Sequence, residues 1–404
     1  METLDQIASS LRALRKLRGW TQEDLAVHAG RGASVSTIRQ VERGAQRPSW
    51  SFTVAVARAL SVDPLALLGN DADGVGGGPV RAVEAALPEI RRVVMTYDCP
   101  REPESPPRGL NELGDAVDEA CRMRLEARYG QLADVIAPLI EEVCYAAHTL
   151  SGQDRERAFW LLSAAYRCAD ALVYKSGHLD LSTSVIERIG WAAARCNDPL
   201  MEATAVYVRA QGFFDSDVPA AGVRLLSRAA EALAMDAAVD VRTASVYGAL
   251  HARAAVLAAK GGNANAADAH LSIARGAAGV VGRDRALLYT YFGPSQLQIH
   301  ELAARVELGD GPGALAAASS WRLPADLPAE RSSHFLIDRA RAEVWVGAYG
   351  SAVASLLEAR RIAPLHTRAH PLVKPMVESI LDRLPRRSQE AMSLGAWLGL
   401  SRGH

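Results

Sequence analysis

Lysine stands at only four of the 404 positions, 16, 175, 260 and 374, and arginine carries the remaining basic charge. Together with abundant alanine this reads as the coding bias of a G+C-rich bacterial genome, so arginine abundance alone carries little functional weight. No Gly-Lys-Ser/Thr follows the glycine-dense stretch Gly69–Pro79, which excludes a phosphate loop and leaves a flexible tether. A Gly-x-Ser-x-Gly nucleophile elbow is missing as well. His300-Glu301 lacks the second zinc histidine, since Ala304 stands there, and the pair His366 and His370 runs straight into Pro371 with no acidic or cysteine partner nearby. The five cysteines, 99, 121, 144, 168 and 196, show no C-x-x-C spacing and read as small buried apolar residues of a reducing cytoplasm. There is no apolar run of membrane-spanning length and no signal-peptide order at the N-terminus. These absences predict a cytoplasmic protein that is not an enzyme, with no cofactor, no metal and no membrane partner.

What the chain does have is concentrated near its start. Thr21 is a good helix N-cap, with Asp24 placed to reciprocate, and Leu25, Ala26 and Ala29 fall on one face before Gly30 ends the helix. Ser34 reads as the next cap. Ile38 and Val41 lie on the buried side of the helix it opens, and Glu42-Arg43-Gly44 closes it. Val35, Ser36, Arg39 and Gln40 are left facing outward.

An α-helix fits the major groove of B-DNA, where exposed side chains near its N-terminus can read base edges. Gln40 and Ser36 are therefore expected to bond bases, Val35 to touch a thymine methyl, and Arg39 to meet guanine or phosphate. Gln22 sits at a positive helix end and suits a backbone phosphate, with Arg43 and Arg47 adding charge. Up to Asn70 the chain has nine Lys/Arg against six acids, whereas the whole carries a net charge of −1, which makes this head the obvious polyanion site.

Residues 7–68 resemble the phage-repressor type of helix-turn-helix domain, the XRE family. The features that match are Thr21-Gln22 with Leu25-Ala26, the Ser34-x-Ser36-Thr37-Ile38 start, Glu42-Arg43-Gly44, Arg47-Pro48-Ser49, and Val62-Asp-Pro-Leu-Ala-Leu-Leu68 as a last short helix. The resemblance implies five helices, and an ion pair between Arg15 of the first helix and Glu42. One departure stands out. The family's Ala-Gly-Val-Ser turn is lengthened here by two residues, Ala29-Gly30-Arg31-Gly32-Ala33-Ser34, room enough to tilt the reading helix.

Beyond a second breaker, Pro100–Pro107, the chain reads as helices of about 15–22 residues joined by short turns at Ser176-Gly177, Asn197-Asp198-Pro199, Gly261-Gly262-Asn263 and Gly309-Asp310-Gly311. No period-two stretch suggests a sheet. Short turns between long helices predict antiparallel hairpins stacked into a right-handed solenoid. Arg331–Pro364 resembles one 34-residue tetratricopeptide repeat, Leu250–Ala278 is a plainer unit, and Ser388–Leu400 reads as a terminal cap. The expected architecture is all-α: a helix-turn-helix domain over 1–70, a Gly/Pro-rich linker with one short helix over 71–109, and a tetratricopeptide-like α-solenoid over 110–404.

A head and body of these two kinds resemble bacterial cytoplasmic regulators whose body senses a peptide pheromone, together with related regulators of undefined signal. That resemblance implies a concave ligand face and dimerisation through terminal repeats, and a homodimer is expected to set its two reading helices on an inverted-repeat operator of double-stranded DNA. Polar and aromatic pairs four apart on first helices are the candidates for a peptide or small-molecule ligand: Tyr207 with Gln211, Tyr247 with His251, Gln296 with His300, and His334 with Asp338. The alternative is a scaffold whose solenoid holds a protein partner while the head tethers it to DNA.

Overall fold

The computed structural model describes residues 8, 11–12, 15–16, 18–30, 33–46, 48–60, 77–103, 106–214, 216–384 and 388–400. The chain divides into two compact units, Met1–Gly78 and Pro79–His404.

In the first unit, residues 11–12 and 15–16 are helical, and α1 (Gln22–Ala29), α2 (Val35–Glu42) and α3 (Trp50–Leu60) follow. Thr21 opens α1 through a reciprocal cap: its hydroxyl accepts from the Asp24 N–H at 3.1 Å, and its own N–H donates to the Asp24 carboxylate at 2.8 Å. Ser34 opens α2 by accepting from the Thr37 N–H at 3.1 Å. Leu11, Leu25, Ala33, Ile38, Val41, Phe52, Val56 and Leu60 close one small core. The proposed fifth helix at Val62–Leu68 and the inserted Arg31-Gly32 lie outside the described residues.

The second unit runs through α4 (Gly77–Met95), α5 (Leu110–Leu125), α6 (Tyr129–Thr149), α7 (Gly152–Lys175), α8 (Leu179–Ala193) and α9 (Pro199–Arg209), which passes into a short 3-10 turn, Ala210–Phe213. It continues as α10 (Pro219–Glu231), α11 (Val241–Lys260), α12 (Ala264–Val281), a two-stranded hairpin, then α13 (Pro294–Glu307), α14 (Gly311–Ser319), α15 (Ala329–Trp345), α16 (Tyr349–Ile362), α17 (Pro364–Ala369), α18 (Val373–Arg383) and α19 (Gln389–Trp397). Consecutive helices pack as tetratricopeptide-like hairpins, among them α6 with α7, α11 with α12 and α15 with α16. Their short turns double as caps. Asp198, Asn263 and Asp310 accept from Leu200, Ala266 and Gly313 N–H groups at 2.9, 3.0 and 2.9 Å, and Gly262 supplies the positive φ of 74° that reverses the chain before Asn263. Among the described residues no helix is long and apolar enough to cross a membrane. The five cysteines are free thiols.

Two features depart from the sequence expectation. The stretch expected as a linker with one short helix holds the 19-residue α4, whose Val83, Leu87, Ile90 and Val94 are buried in the core of the second unit. Arg92 of that helix also grips Glu141 of α6 through two bonds of 2.8 and 2.9 Å. The second departure is β1 (Arg285–Leu287) paired antiparallel with β2 (Thr290–Phe292), Ala286 opposite Tyr291. Leu288 and Tyr289 form its two-residue turn with φ of 47° and 57°, a conformation that usually selects glycine or asparagine. Leu288 and Tyr289 are nonetheless buried, and their packing offsets the strain.

Candidate nucleic-acid interface and ligand face

Helix α2 is fixed from behind by an acid at its last turn. Glu42 is 2% exposed, and its two carboxylate oxygens accept from Arg15 Nε at 2.6 Å, Arg15 Nη2 at 3.0 Å and Gln22 Nε2 at 2.7 Å. Arg15 Nη1 reaches on to the Trp20 carbonyl at 2.6 Å, and Arg12 bonds the Glu42 carbonyl. Burial penalises the Glu42 charge, but the bonds from Arg15 and Gln22 outweigh it and hold the carboxyl below the usual glutamate range.

Gln22 is half-buried and bridges inward rather than standing free: while its nitrogen serves Glu42, its oxygen accepts from Arg39 Nε at 3.3 Å. Arg39 also lies 3.5 Å from Glu23 in an exposed pair. Arg15, Glu42, Gln22 and Arg39 thus form one chain of bonds from the first helix to the outer face of α2. On that face Ser36, Arg39 and Gln40 are exposed, Val35 is half-buried, and Arg43 is exposed just past the helix. The Gln40 amide has no protein partner among the described residues. Arg47 lies outside them.

The four polar pairs of the body have different surroundings. Tyr207 is buried, and the Arg253 guanidinium stacks on its ring at 3.6 Å while donating to its carbonyl at 2.5 Å. Gln211 Nε2 is buried without a hydrogen-bond partner among the described residues. Gln296 Nε2 lies 3.1 Å from His300 Nδ1, which also meets the Gln296 carbonyl at 2.8 Å. His334 packs against His366 and His370 and stands 3.8 Å from Asp338, whose carboxylate is bonded by Arg341 at 3.0 Å. Burial pushes His300 and His334 down to about 3, reinforced by Arg253 and Arg331 at the first and by Lys175 and Arg331 at the second. Tyr207, His300 and His334 therefore share a cationic neighbourhood with Arg331. Tyr247 and His251 belong elsewhere: their rings meet at 4.6 Å, and His251 Nδ1 faces His270 Nδ1 of α12 at 2.8 Å.

Sequence reasoning missed the charged residues at the centre of this region, Arg124, Arg167, Lys175, Arg253, Glu330 and Arg331. Arginine abundance hid them. The available signal was phase, because Arg167 and Arg253 interrupt the apolar runs Ala164-Ala165-Tyr166 and Ala254-Ala255 in the mostly buried middle stretches of their helices.

Residues 6–68 match the family model described as a helix-turn-helix domain, in agreement with the capped pair α1 and α2. Among solved structures, the chain is similar to Bacillus thuringiensis PlcR in complex with the peptide PapR7 and DNA, at 14% identity over 69% of this chain and 96% of that one, with a TM-score of 0.30. It is also similar to the apo form of ComR from S. thermophilus, at 13% identity over 90% and 97% of the two chains, with a TM-score of 0.20. No curated protein sequence matches.

Proposed function

We propose that the protein is a sequence-specific DNA-binding transcriptional regulator, in which a helix-turn-helix head reads an operator and the helical-hairpin body takes a cytoplasmic peptide or small-molecule signal. The observation that carries this reading is the outer face of α2. Its polar side chains Ser36, Arg39 and Gln40 are exposed on a helix braced by the buried Glu42 hub, and the Gln40 amide is unspent. A braced helix holds its tips in register for base edges before DNA arrives, so little ordering cost opposes binding. Ser36 and Gln40 are assigned to bases, Val35 to a thymine methyl, and Arg39 to guanine or phosphate. Gln22 has one amide hydrogen left for phosphate, and Arg43 and Arg47 supply charge to the backbone.

As a homodimer, the protein would set two such helices about 34 Å apart on an inverted repeat. The signal would act by binding one arrangement of the heads more tightly than another. Footprinting of the full chain on the DNA upstream of its own gene tests the reading. Protection of two half-sites one helical turn apart is expected. Binding that does not discriminate this DNA from unrelated duplex at physiological salt would refute sequence-specific regulation.

A further inference from the structure

Arg167 lies mid-way along α7, 7% exposed, between Tyr166 and Cys168, which are sealed from solvent. Among the described residues its Nε and Nη1 have no hydrogen-bond partner. The group packs on the ring of Tyr207 at 5.4 Å, and Arg253 stacks on the same ring at 3.6 Å, so two like charges flank one buried phenol. Nearby, the single carboxylate of Glu330 serves Lys175 at 2.7 Å, Arg124 at 3.5 Å and Arg331 at 3.9 Å. Arg124 Nε and Arg331 Nε are also buried without hydrogen-bond partners among the described residues.

Burial, together with Arg124, Arg253 and Arg331, pushes Arg167 down to about 9, which places these cations within one another's field. Asp170, the acid beside Arg167 and Arg253, is bonded by Ser182 at 2.6 Å and raised by burial to about 6, so near neutrality it offsets one charge. Within this cluster the five cations Arg124, Arg167, Lys175, Arg253 and Arg331 still outnumber the two acids Glu330 and Asp170.

An excess of buried guanidinium groups with open N–H donors is costly for a structure that needs only to be stable, because packed apolar residues would serve better. The cost falls away when an oxyanion completes the set. A planar guanidinium offers paired donors that match the two oxygens of a carboxylate. The neutral groups alongside are of a different kind: Gln211 Nε2 is an open donor and Gln296 Oε1 an open acceptor, which suits amide or hydroxyl groups next to that anion.

We infer that the body contains a buried seat for a ligand carrying a carboxylate, gripped by Arg167 with Arg253 and Arg331, and flanked by Gln211 and Gln296. This rests on the reading of the body as the signal-binding part and gives that signal a chemical class. The carboxylate has two sources, the C-terminus of a short peptide or a small organic acid.

The test is thermal melting of the full chain with three probes: a pool of randomised pentapeptides with free C-termini, the same pool C-amidated, and citrate against sodium chloride at equal ionic strength. Wild type should melt about 4 °C higher with the free-acid pool or with citrate near a hundredfold Kd excess. The amidated pool should give no shift, and the gain should vanish in Arg167→Met and in Arg331→Gln. A response to the free-acid pool alone identifies a peptide terminus, and a response to citrate identifies a small acid. The seat is overturned by equal shifts in wild type and variants, by an amidated pool as effective as the free acid, or by no shift with any probe. Should Arg167→Met not fold, Arg331→Gln decides. Upstream DNA binding is followed in parallel: both variants should retain it, and its absence in wild type overturns the regulator reading and not the seat.

Discussion

Glu42 does two jobs with one carboxylate. It neutralises Arg15 in the core of the head, and through Gln22 it aims Arg39 outward. Removing it by Glu42→Ala leaves Arg15 a largely buried charge without its partner, a loss of about 3 kcal/mol. Because the folded carboxyl titrates below its ordinary range, its contribution is complete above the unfolded pKa and is lost as pH falls through the lowered folded value. Amide exchange over residues 21–46 in the full chain should therefore show a constant gap between wild type and Glu42→Ala from pH 7 to about 5, closing below about pH 4. A gap that persisted in acid would mean that packing, not the ion pair, holds α2. Gln40 tests the outer face. Gln40→Ala should weaken operator binding by about 1–3 kcal/mol and relax preference at one base pair, measured by competition against single-base operator variants. Uniform weakening across all the variants would make Gln40 a phosphate contact.

At the scale of elements, legibility followed local chemistry. Thr21, Ser34, Asp198, Asn263 and Asp310 announce helix starts because a side-chain oxygen placed before a helix satisfies an orphan N–H wherever the helix goes. The β1–β2 hairpin was illegible for the opposite reason: Leu288 and Tyr289 have no turn propensity and hold positive φ only because the body buries them. Helix α4 was undervalued because glycines precede it and prolines follow it, although Val83, Leu87, Ile90 and Val94 already repeat at helical spacing. The hairpin also makes a sharp demand on α11. A Cβ built on Gly248 would stand 2.2 Å from the ring of Phe292, which is fully buried. Gly248→Ala should cost about 2 kcal/mol by overpacking. Combined with Phe292→Leu, the two changes should destabilise by less than their sum in urea titrations, and strict additivity would show that helix and ring do not touch.

Across the whole molecule the two units put charge to different use. The head presents Arg39 and Arg43 on its surface, where motif and cap identified them, and the body encloses Arg124 and Arg167 at positions whose meaning depends on helices far apart in sequence, as with Arg124 beside Glu330 of α15. That is why the exposed face of α2 was legible residue by residue and the buried cation cluster was not. The body's interior also sets its pH response. Burial holds His300, His334 and His370 near 3, helped by cations that include Arg253, Lys175 and Arg341. Below about pH 6.5 the unfolded chain takes up protons on these rings that the folded chain refuses, so stability must fall with pH across the window from about 6.5 to 3. Near pH 5 the three rings together should give a net uptake of protons on unfolding. Replacing them singly by asparagine should flatten the dependence of the body's Tm on pH between 7 and 5, with His300→Asn and His334→Asn acting additively only if their rings do not share neighbours. Both lie within the field of Arg331, so a combined effect smaller than the sum is expected. A wild-type Tm that stayed level through this range would mean that these imidazoles are protonated in the folded protein, and that the interior already contains enough negative charge to accept them.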